Sequence, residues 1–566
     1  MIRMKSYVKN CGNVPTLYVD DKPCYSPAYM TYLTDRGCYK SFNDADIHLY
    51  SVCIYFGGQT INAKSEISIP FHKGIFDERE PDFTIPDMDI KRITDIDSDA
   101  KIFPRVNISP PLWWENENEQ ELNDKGAPGK EKRRVCFASD KWKKDTSEFI
   151  RKMCEHYADN ENIIGYQIAC GNTEEWFPFD LDGGVGKRTR EGYEKSEDSY
   201  KSANGFNLYL SDVIVDAISY FADKVKEYTE NSMVVGTFYG YTFETPARFS
   251  GHFSLQKLLR CKDIDFICSP ISYAQIRNPE YEHSCMTVLD SVLLHGKLYF
   301  SEADERTHLS LYPYEYDDKL CRPGTYNEDI WKGPSDPFVA RNVLRTGFAR
   351  QLVHGNNFWW FDMWGGWFED DGIMADMKTE AAIMKDSLTF KNRGINAEVA
   401  VVADEKGNAC VEDGNNVMYN FRIPLSKACV PYATYDVSDF ESIKDKYKAF
   451  IFVAAYTTEN LKIAIKEADK KGVPYIFLDN DSVLSENMFR KFLKANKIHI
   501  YSENKCILHV NENYLSVQAI EDSGKVKVVL PQKRKITPLF ENEESIYTDI
   551  LCVEMKKYET KLFKLE

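Results

Sequence analysis

Glu174 and Glu175 fall near the end of the stretch IIGYQIACGNTEEW (residues 163–176), an apolar run that ends in two adjacent acids with Trp176 beside them. Another acid, Glu302, stands 127 residues after Glu175 in GKLYFSEADERTH, again at the end of an apolar run, Leu298–Phe300. Two carboxyl groups brought to one place by two strands can cleave a glycosidic bond. In the retaining form of that chemistry one carboxylate attacks the anomeric carbon and the other, protonated, gives its proton to the leaving oxygen, with the two groups about 5–5.5 Å apart. The donor needs a raised pKa, which an apolar wall such as Trp176 supplies by desolvation. The nucleophile must stay charged, and polar neighbours such as Arg306 or Tyr273 suit it. A doubled Glu after a strand is by itself also an ordinary solvated loop, so the reading depends on where the strands stand.

From about residue 20 to 395, eight short apolar runs alternate with longer amphipathic stretches. They are YSPAYMTYL (25–33), IHLYSVCIYF (47–56), KIFPRVNIS (101–109), NIIGYQIAC (162–170), MVVGTFYGY (233–241), IDFICSPISY (264–273), GKLYFSEAD (296–304) and NNFWWFDMW (356–364). Segment 205–230 between two of them has apolar residues at three- and four-residue spacing, which predicts a helix. Eight such βα units predict an α/β fold, a closed (β/α)8 TIM barrel. The competing open doubly wound sheet lacks support, because no Gly-rich phosphate turn follows any strand. Catalytic groups of such a barrel sit at the C-terminal ends of its strands. The paired acids follow the fourth strand and Glu302 ends the seventh, on opposite sides of the mouth.

After the barrel (1–395, with a short N-terminal extension) the pattern shifts. Strands at 398–403, 449–453 and 473–478 alternate with helices such as 458–471, which Gly472 ends, and this predicts a small flavodoxin-like α/β domain over 396–503. It has no GxGxxG or P-loop pattern, so neither nucleotide binding nor a flavin-dependent oxidoreductase is expected. From 504 to 566 the alternation is β-like, a small β-sandwich-like all-β domain, with Asp522-Ser523-Gly524 read as a hairpin turn.

The 71 Lys and Arg against 88 Asp and Glu give a net charge of -17, which repels phosphate backbones and argues against nucleic acid as a partner. The basic run KEKRR (130–134) after GAPG reads as a solvated loop. No 18-residue apolar run predicts a membrane span, and the start has no signal-type apolar stretch. Fifteen cysteines scattered without a CxxC pair fit reduced thiols and a cytoplasmic protein. No HExxH or other close metal-ligand spacing is present, so no metal and no cofactor are expected. All nine tryptophans precede residue 368, which places the handling of a flat, partly apolar ligand in the first two thirds. Sugar faces pack well on such rings. Trp113 and Trp114 follow the third strand as stacking candidates. Arg105 and Asn107 alternate along that strand, so both can point inward, and a buried Arg there needs a carboxylate or a sugar hydroxyl as partner. Asn172 stands beside the acids. Asp362 and Glu369 flank the strand-8 tryptophans as hydroxyl ligands, with a solvated loop the simpler reading for Glu369. His308, six residues after Glu302, reads as structural.

An acid after strand 4, Glu302 after strand 7 and the segment RNVLRTGFARQLVHGNNFWWFDMWGGWFEDDGIMADM together resemble the glycoside hydrolase family 42 β-galactosidases and their clan. The likeness extends to the α/β domain opening with AEVAVVADE, which is similar to that family's trimerisation domain, and to the short β-domain after it. The resemblance implies a retaining, exo-acting β-glycosidase, most simply β-galactosidase-like, that works on small β-linked sugars as a homotrimer. It implies Glu302 as nucleophile, a strand-4 Glu as acid/base, Tyr273 as the strand-6 tyrosine bonded to the nucleophile, and Trp359 and Trp360 as the strand-8 aromatic platform. The family has Asn directly before its acid, whereas this chain has Asn172-Thr173-Glu174-Glu175. The choice between the two acids therefore stays open, with Glu175 preferred because it abuts Trp176. The family's metal-binding cysteine cluster is not visible here. A β-mannosidase or other β-glycosidase on the same scaffold, or a carbohydrate-binding barrel without chemistry, remain the alternatives.

Overall fold

The computed structural model describes residues 5–58, 72–124, 134–178, 184–201, 205–244, 250–316, 320–321, 323–411, 417–522 and 524–566. Apart from Arg134, the GAPG and KEKRR segments lie outside the described residues. A three-stranded antiparallel sheet, Ser6–Cys11, Val14–Val19 and Lys22–Cys24, precedes the barrel.

Each of the eight apolar runs supplies a barrel strand. These are β1 (Ala28–Met30), β2 (Leu49–Ser51, resuming as Cys53–Tyr55), β3 (Lys101–Ile102, resuming as Arg105–Asn107), β4 (Gly165–Ala169), β5 (Val234–Phe238), β6 (Phe266–Pro270), β7 (Leu298–Ala303) and β8 (Asn357–Phe361). All their pairings are parallel. The sheet order runs from the second halves of β2 and β3 through β4 to β8, then β1 and the first halves of β2 and β3. The two broken strands thus stand at both ends of the order, and the sheet closes on itself. Pro104 accounts for the break in β3, since it has no N–H to give the ladder. Every residue of β4 to β8 is buried, which is why these strands read as unbroken apolar runs. The barrel floor is aromatic: Phe103 and Phe300 lie 5.2 Å apart, and Phe238 and Trp359 6.1 Å.

The second unit is a parallel sheet of β9 (Val399–Ala403), β10 (Tyr432–Asp436), β11 (Ala449–Val453) and β12 (Tyr475–Leu478), in the order β10-β9-β11-β12. Strand β10 has no counterpart in the sequence reading, because Thr434 and Asp436 interrupt its apolar pattern. The helix Glu459–Lys471 starts after Thr458 and ends at Gly472, whose φ of 66° is the left-handed cap a glycine supplies. The third unit is a single antiparallel sheet, not two stacked ones, of β13 (Cys506–Val510), β14 (Tyr514–Ala519), β15 (Lys525–Pro538), β16 (Ile546–Glu554) and β17 (Thr560–Leu565). Its order, β13-β14-β17-β15-β16, corrects the expected hairpin at Asp522–Gly524. Strand β17 inserts between β14 and β15, so the chain leaves one strand there and starts another that is not its neighbour.

Two carboxyls outside the barrel mouth make stability depend on pH. Glu305 is buried, and its oxygens meet no hydrogen-bond donor among the described residues; burial pushes it to about 7. Burial likewise pushes Glu405 to about 8. Both groups titrate near 4.5 when free, so between the two limits the folded chain holds protons that the unfolded chain has lost. Their contribution is whole below that free value and disappears as pH rises through the folded values. Melting temperatures by scanning calorimetry will therefore fall from pH 5 to 8.5, and Glu305→Gln will flatten the fall. A melting temperature that climbs over this range would rule the argument out.

Candidate active site

Beyond β4 the chain turns back on itself: Trp176 N donates to Cys170 O at 2.7 Å and Asn172 N to Phe177 O at 3.0 Å. The turn places Thr173, Glu174 and Trp176 in left-handed backbone, with φ of 55°, 70° and 63°. Gly171 opens it at φ 77°, where a Cβ would come within 2.5 Å of Phe177 O. This geometry sends the two acids to different surroundings. Glu174 is fully buried, and its carboxylate meets Tyr32 Oη at 3.2 Å, Asn107 Nδ2 at 3.5 Å and Arg105 Nη1 at 3.5 Å. Glu175 is only partly buried and accepts from Tyr241 Oη at 2.7 Å and from the Thr173 hydroxyl.

Glu302 ends β7 within the barrel, and Arg105 Nη2 donates to its Oε2 at 2.6 Å. The Arg105 side chain is itself buried over the floor, 4.7 Å from the Phe238 ring and 5.5 Å from that of Trp359. Asp304, two residues further, is gripped by Arg277 Nη2 at 2.8 Å and Arg306 Nη1 at 2.6 Å. Burial pushes Asp304 up, but the two guanidiniums outweigh it and hold its carboxyl below the usual range. Burial lifts Glu175 to about 7, against the hydrogen bonds from Thr173 and Tyr241. Burial also lifts Glu302, to about 8; Arg105 opposes this and the charges of Asp304 and Glu175 add to it. Glu174 is raised by burial with Arg105 opposing.

By value alone the proton would rest on Glu302, but the contacts point the other way. Glu302 has a guanidinium at 2.6 Å, whereas Glu175 has only neutral donors. When Glu175 takes the proton, its share of the repulsion on Glu302 falls away while that of Asp304 stays, and the Arg105 ion pair favours the charged form of Glu302. Such a pair titrates as a unit, and the arrangement can hold one proton on Glu175 opposite a charged Glu302.

The structure brings Glu174, Glu175, Glu302, Arg105 and Asn107 together. Tyr273 is close enough for the charges of Glu175 and Glu302 to raise its hydroxyl, after burial and Asp304. Its ring stacks on Arg277 at 3.8 Å. Trp359 faces inward but is fully buried in the floor beneath Arg105. Trp360, the next residue, faces outward onto Phe358 at 5.0 Å and Phe368 at 5.8 Å, which corrects its placement in a platform. Trp114 is also outside the cluster: its indole N–H donates to Asp145 at 2.8 Å. Trp113 donates to Phe76 O. Trp176 anchors the turn from within, on Phe137 at 5.3 Å and Ile168 O at 3.3 Å, and so does not wall the acid. Asn172 turns to Arg134, 3.0 Å away. Asp362 is a buried brace for the strand-8 turn, taking hydrogen bonds from Tyr29 Oη, Gly366 N and Trp367 N. With its oxygens occupied, it is not placed as a hydroxyl ligand. Glu369 accepts from Ser41, and His308 stands 3.7 Å from Asp370.

Tyr32, Tyr241, His252, Arg277 and Asp304 went unnoticed in the sequence. His252 Nε2 lies 2.9 Å from Glu175 O, and its ring stacks on Tyr239 at 4.6 Å; burial lowers it to about 3, so it is neutral. Tyr241 closes an apolar run already identified, and the SEADER motif contains Asp304, so both were within reach. Tyr32 lies against Trp364, 6.0 Å between centroids, which supplies an aromatic wall that Trp360 does not. Among the described residues no group of three or more His, Cys, Asp or Glu is placed to hold a metal ion, and no helix is long and apolar enough to cross a membrane.

Solved structures share this architecture over nearly the whole chain. The β-galactosidase from Bacillus circulans sp. alkalophilus superposes with a TM-score of 0.62 at 11% identity, covering 96% of this chain and 98% of that one. The fold is that of the family 42 β-galactosidases. A family 42 β-galactosidase from G. stearothermophilus gives 0.61 at 11% identity over 99% and 100% of the two chains. An exo-carrageenase of the same family from Bacteroides ovatus gives 0.59 at 12% over 100% and 86%. No family model matches the chain, and no curated protein sequence does.

Proposed function

We propose that this chain is a retaining, exo-acting β-glycosidase, β-galactosidase-like in the first instance, that hydrolyses the terminal sugar of small β-linked oligosaccharides or glycosides. The observation that carries the reading is the pair of carboxyls at the ends of β4 and β7: Glu302 ion-paired to Arg105, Glu175 held only by neutral hydroxyls. Glu302 attacks the anomeric carbon while Glu175 protonates the departing oxygen. Glu175, now charged, then takes a proton from a water whose oxygen bonds the anomeric carbon as the bond to Glu302 breaks, which frees the nucleophile and releases the sugar with its β configuration kept. The partial exposure of Glu175 suits this second step, because it must meet water; the fully buried Glu174 suits a hydroxyl-binding and charge-balancing role. Arg105, Asn107 and Tyr273 complete the set around the sugar, above Trp359.

The division into residues 1–395, 396–503 and 504–566 belongs to this reading, as does a homotrimer like that of the family it resembles. Fifteen free cysteines suit a reducing compartment, and we place the enzyme in the cytoplasm.

A panel of 4-nitrophenyl β-glycosides (galactoside, mannoside, glucoside, fucoside, xyloside, arabinoside, glucuronide) tests the proposal. At least one will release nitrophenol, and proton NMR of the first product will show the β-anomer. A first-formed α-anomer would overturn the retaining mechanism, and silence across the panel and across oligosaccharides would leave a binding barrel.

A further inference from the structure

The loops after β5 and β6 carry the two tyrosines beside the carboxyl pair, Tyr241 and Tyr273, and the second unit grips both loops. Glu405 accepts from Thr242 Oγ1 at 3.0 Å, and Asn408 Nδ2 donates to Thr242 O at 2.9 Å. Arg422, fully buried, donates to Phe243 O at 3.1 Å and to Ser272 Oγ at 2.5 Å. Tyr419 Oη donates to Tyr273 O at 2.6 Å and accepts from Ile276 N at 3.2 Å. One side chain therefore satisfies two backbone groups of the loop that presents Tyr273. The same loop carries Arg277, which stacks on Tyr273 and pairs with Asp304, whose charge acts on Glu302.

We infer that Tyr419 and Arg422, residues of the second unit, are positioning residues for the barrel's carboxyl pair. They fix the backbone on which Tyr241, Tyr273 and Arg277 stand, so the α/β unit is a working part of its own chain's site as well as an appendage to the barrel. The inference rests on the glycosidase reading for its kinetic consequence. Without the Tyr419 hydroxyl, Tyr273 O and Ile276 N lose a buried partner, which a packed loop relieves by moving. Movement of this segment that loosens Arg277 from Asp304 leaves more of the Asp304 charge acting on Glu175 and Glu302, which raises both, and the alkaline limb of the pH profile moves to higher pH.

The test compares Tyr419→Phe with Asn207→Ala. Asn207 Nδ2 donates to Ala409 O at 2.9 Å and so ties the same unit to the barrel helix Gly205–Tyr228, while touching neither loop. Tyr419→Phe will lower kcat about tenfold with KM within about twofold, and will shift the alkaline limb. Asn207→Ala will change neither, although both lower the melting temperature. Equal kinetic losses in the two variants, or an unshifted profile in Tyr419→Phe, would reduce Tyr419 to a structural contact. Amide hydrogen exchange of segment 271–277 is read without substrate, so it separates this inference from the glycosidase reading: faster exchange in Tyr419→Phe alone supports the coupling even if no glycoside is cleaved. Exchange identical to wild type overturns it.

Discussion

Glu302→Gln will fold and melt as wild type does and will cleave no aryl β-glycoside at a measurable rate, a loss of about 10⁴ or more in kcat. The amide keeps an oxygen for Arg105, so the ion pair becomes a hydrogen bond and the buried guanidinium is not left bare; it still has Glu174 at 3.5 Å. What the amide cannot do is attack carbon. Glu302→Ala leaves room at the same place, and azide supplied with a dinitrophenyl β-glycoside will enter from the vacated face to give the α-glycosyl azide. Recovery of that product names Glu302 as nucleophile in a way that loss of activity alone does not. Near-wild-type turnover in either variant would remove the assignment.

Glu175→Gln will separate substrates by leaving group. Dinitrophenyl glycosides need little protonation and will still form the glycosyl-enzyme, whereas alkyl glycosides will lose about 10²–10⁴ in rate. Hydrolysis of the intermediate also loses its base, so azide will speed turnover and yield the β-glycosyl azide. The alkaline limb of the pH profile, which in wild type reports loss of the shared proton, will disappear. Glu174→Gln will show none of these signatures; its expected loss is about tenfold and similar for good and poor leaving groups. The two variants exchange these behaviours if Glu174 is the acid. Leaving-group dependence, not the size of the loss, therefore decides between neighbours.

The sequence made the barrel legible because buried parallel strands appear as short apolar runs, and all eight were found where the structure has them. Loops and connections were harder. Strand β10 was hidden by its own polar residues, and the order of the C-terminal sheet depends on β17, far along the chain from the turn that suggested a hairpin. In the site, Arg105 and its carboxylate partner were foreseeable, since a charged residue on an inward strand position needs one. Trp360 illustrates the opposite case. It adjoins Trp359 on a strand, where successive side chains point to opposite faces, so the two could never have formed one inward platform. Trp114 sits on the short helix Leu112–Glu117, and a loop reading gives no face to such a residue. Tyr32, His252 and Arg277 come from three separate segments, and nothing local to any of them indicates that they converge.

The turn that carries the acids sets improvement of robustness against improvement of rate. Three non-glycine residues held in left-handed backbone each cost about 1–2 kcal/mol, a burden the folded protein bears whether or not a sugar is present. A library of variants sorted only for survival on heating will therefore be drawn to position 173, where glycine relieves that cost without emptying a buried site. At Trp176, packed on Phe137, the space left by the indole costs more than the backbone relief returns. The same relief loosens the peptide that aims Glu174 and Glu175 apart. Variants enriched by such a screen will gain heat tolerance where they give up directional control of the carboxyls, so a search for a hardier catalyst is best conducted with this turn left alone.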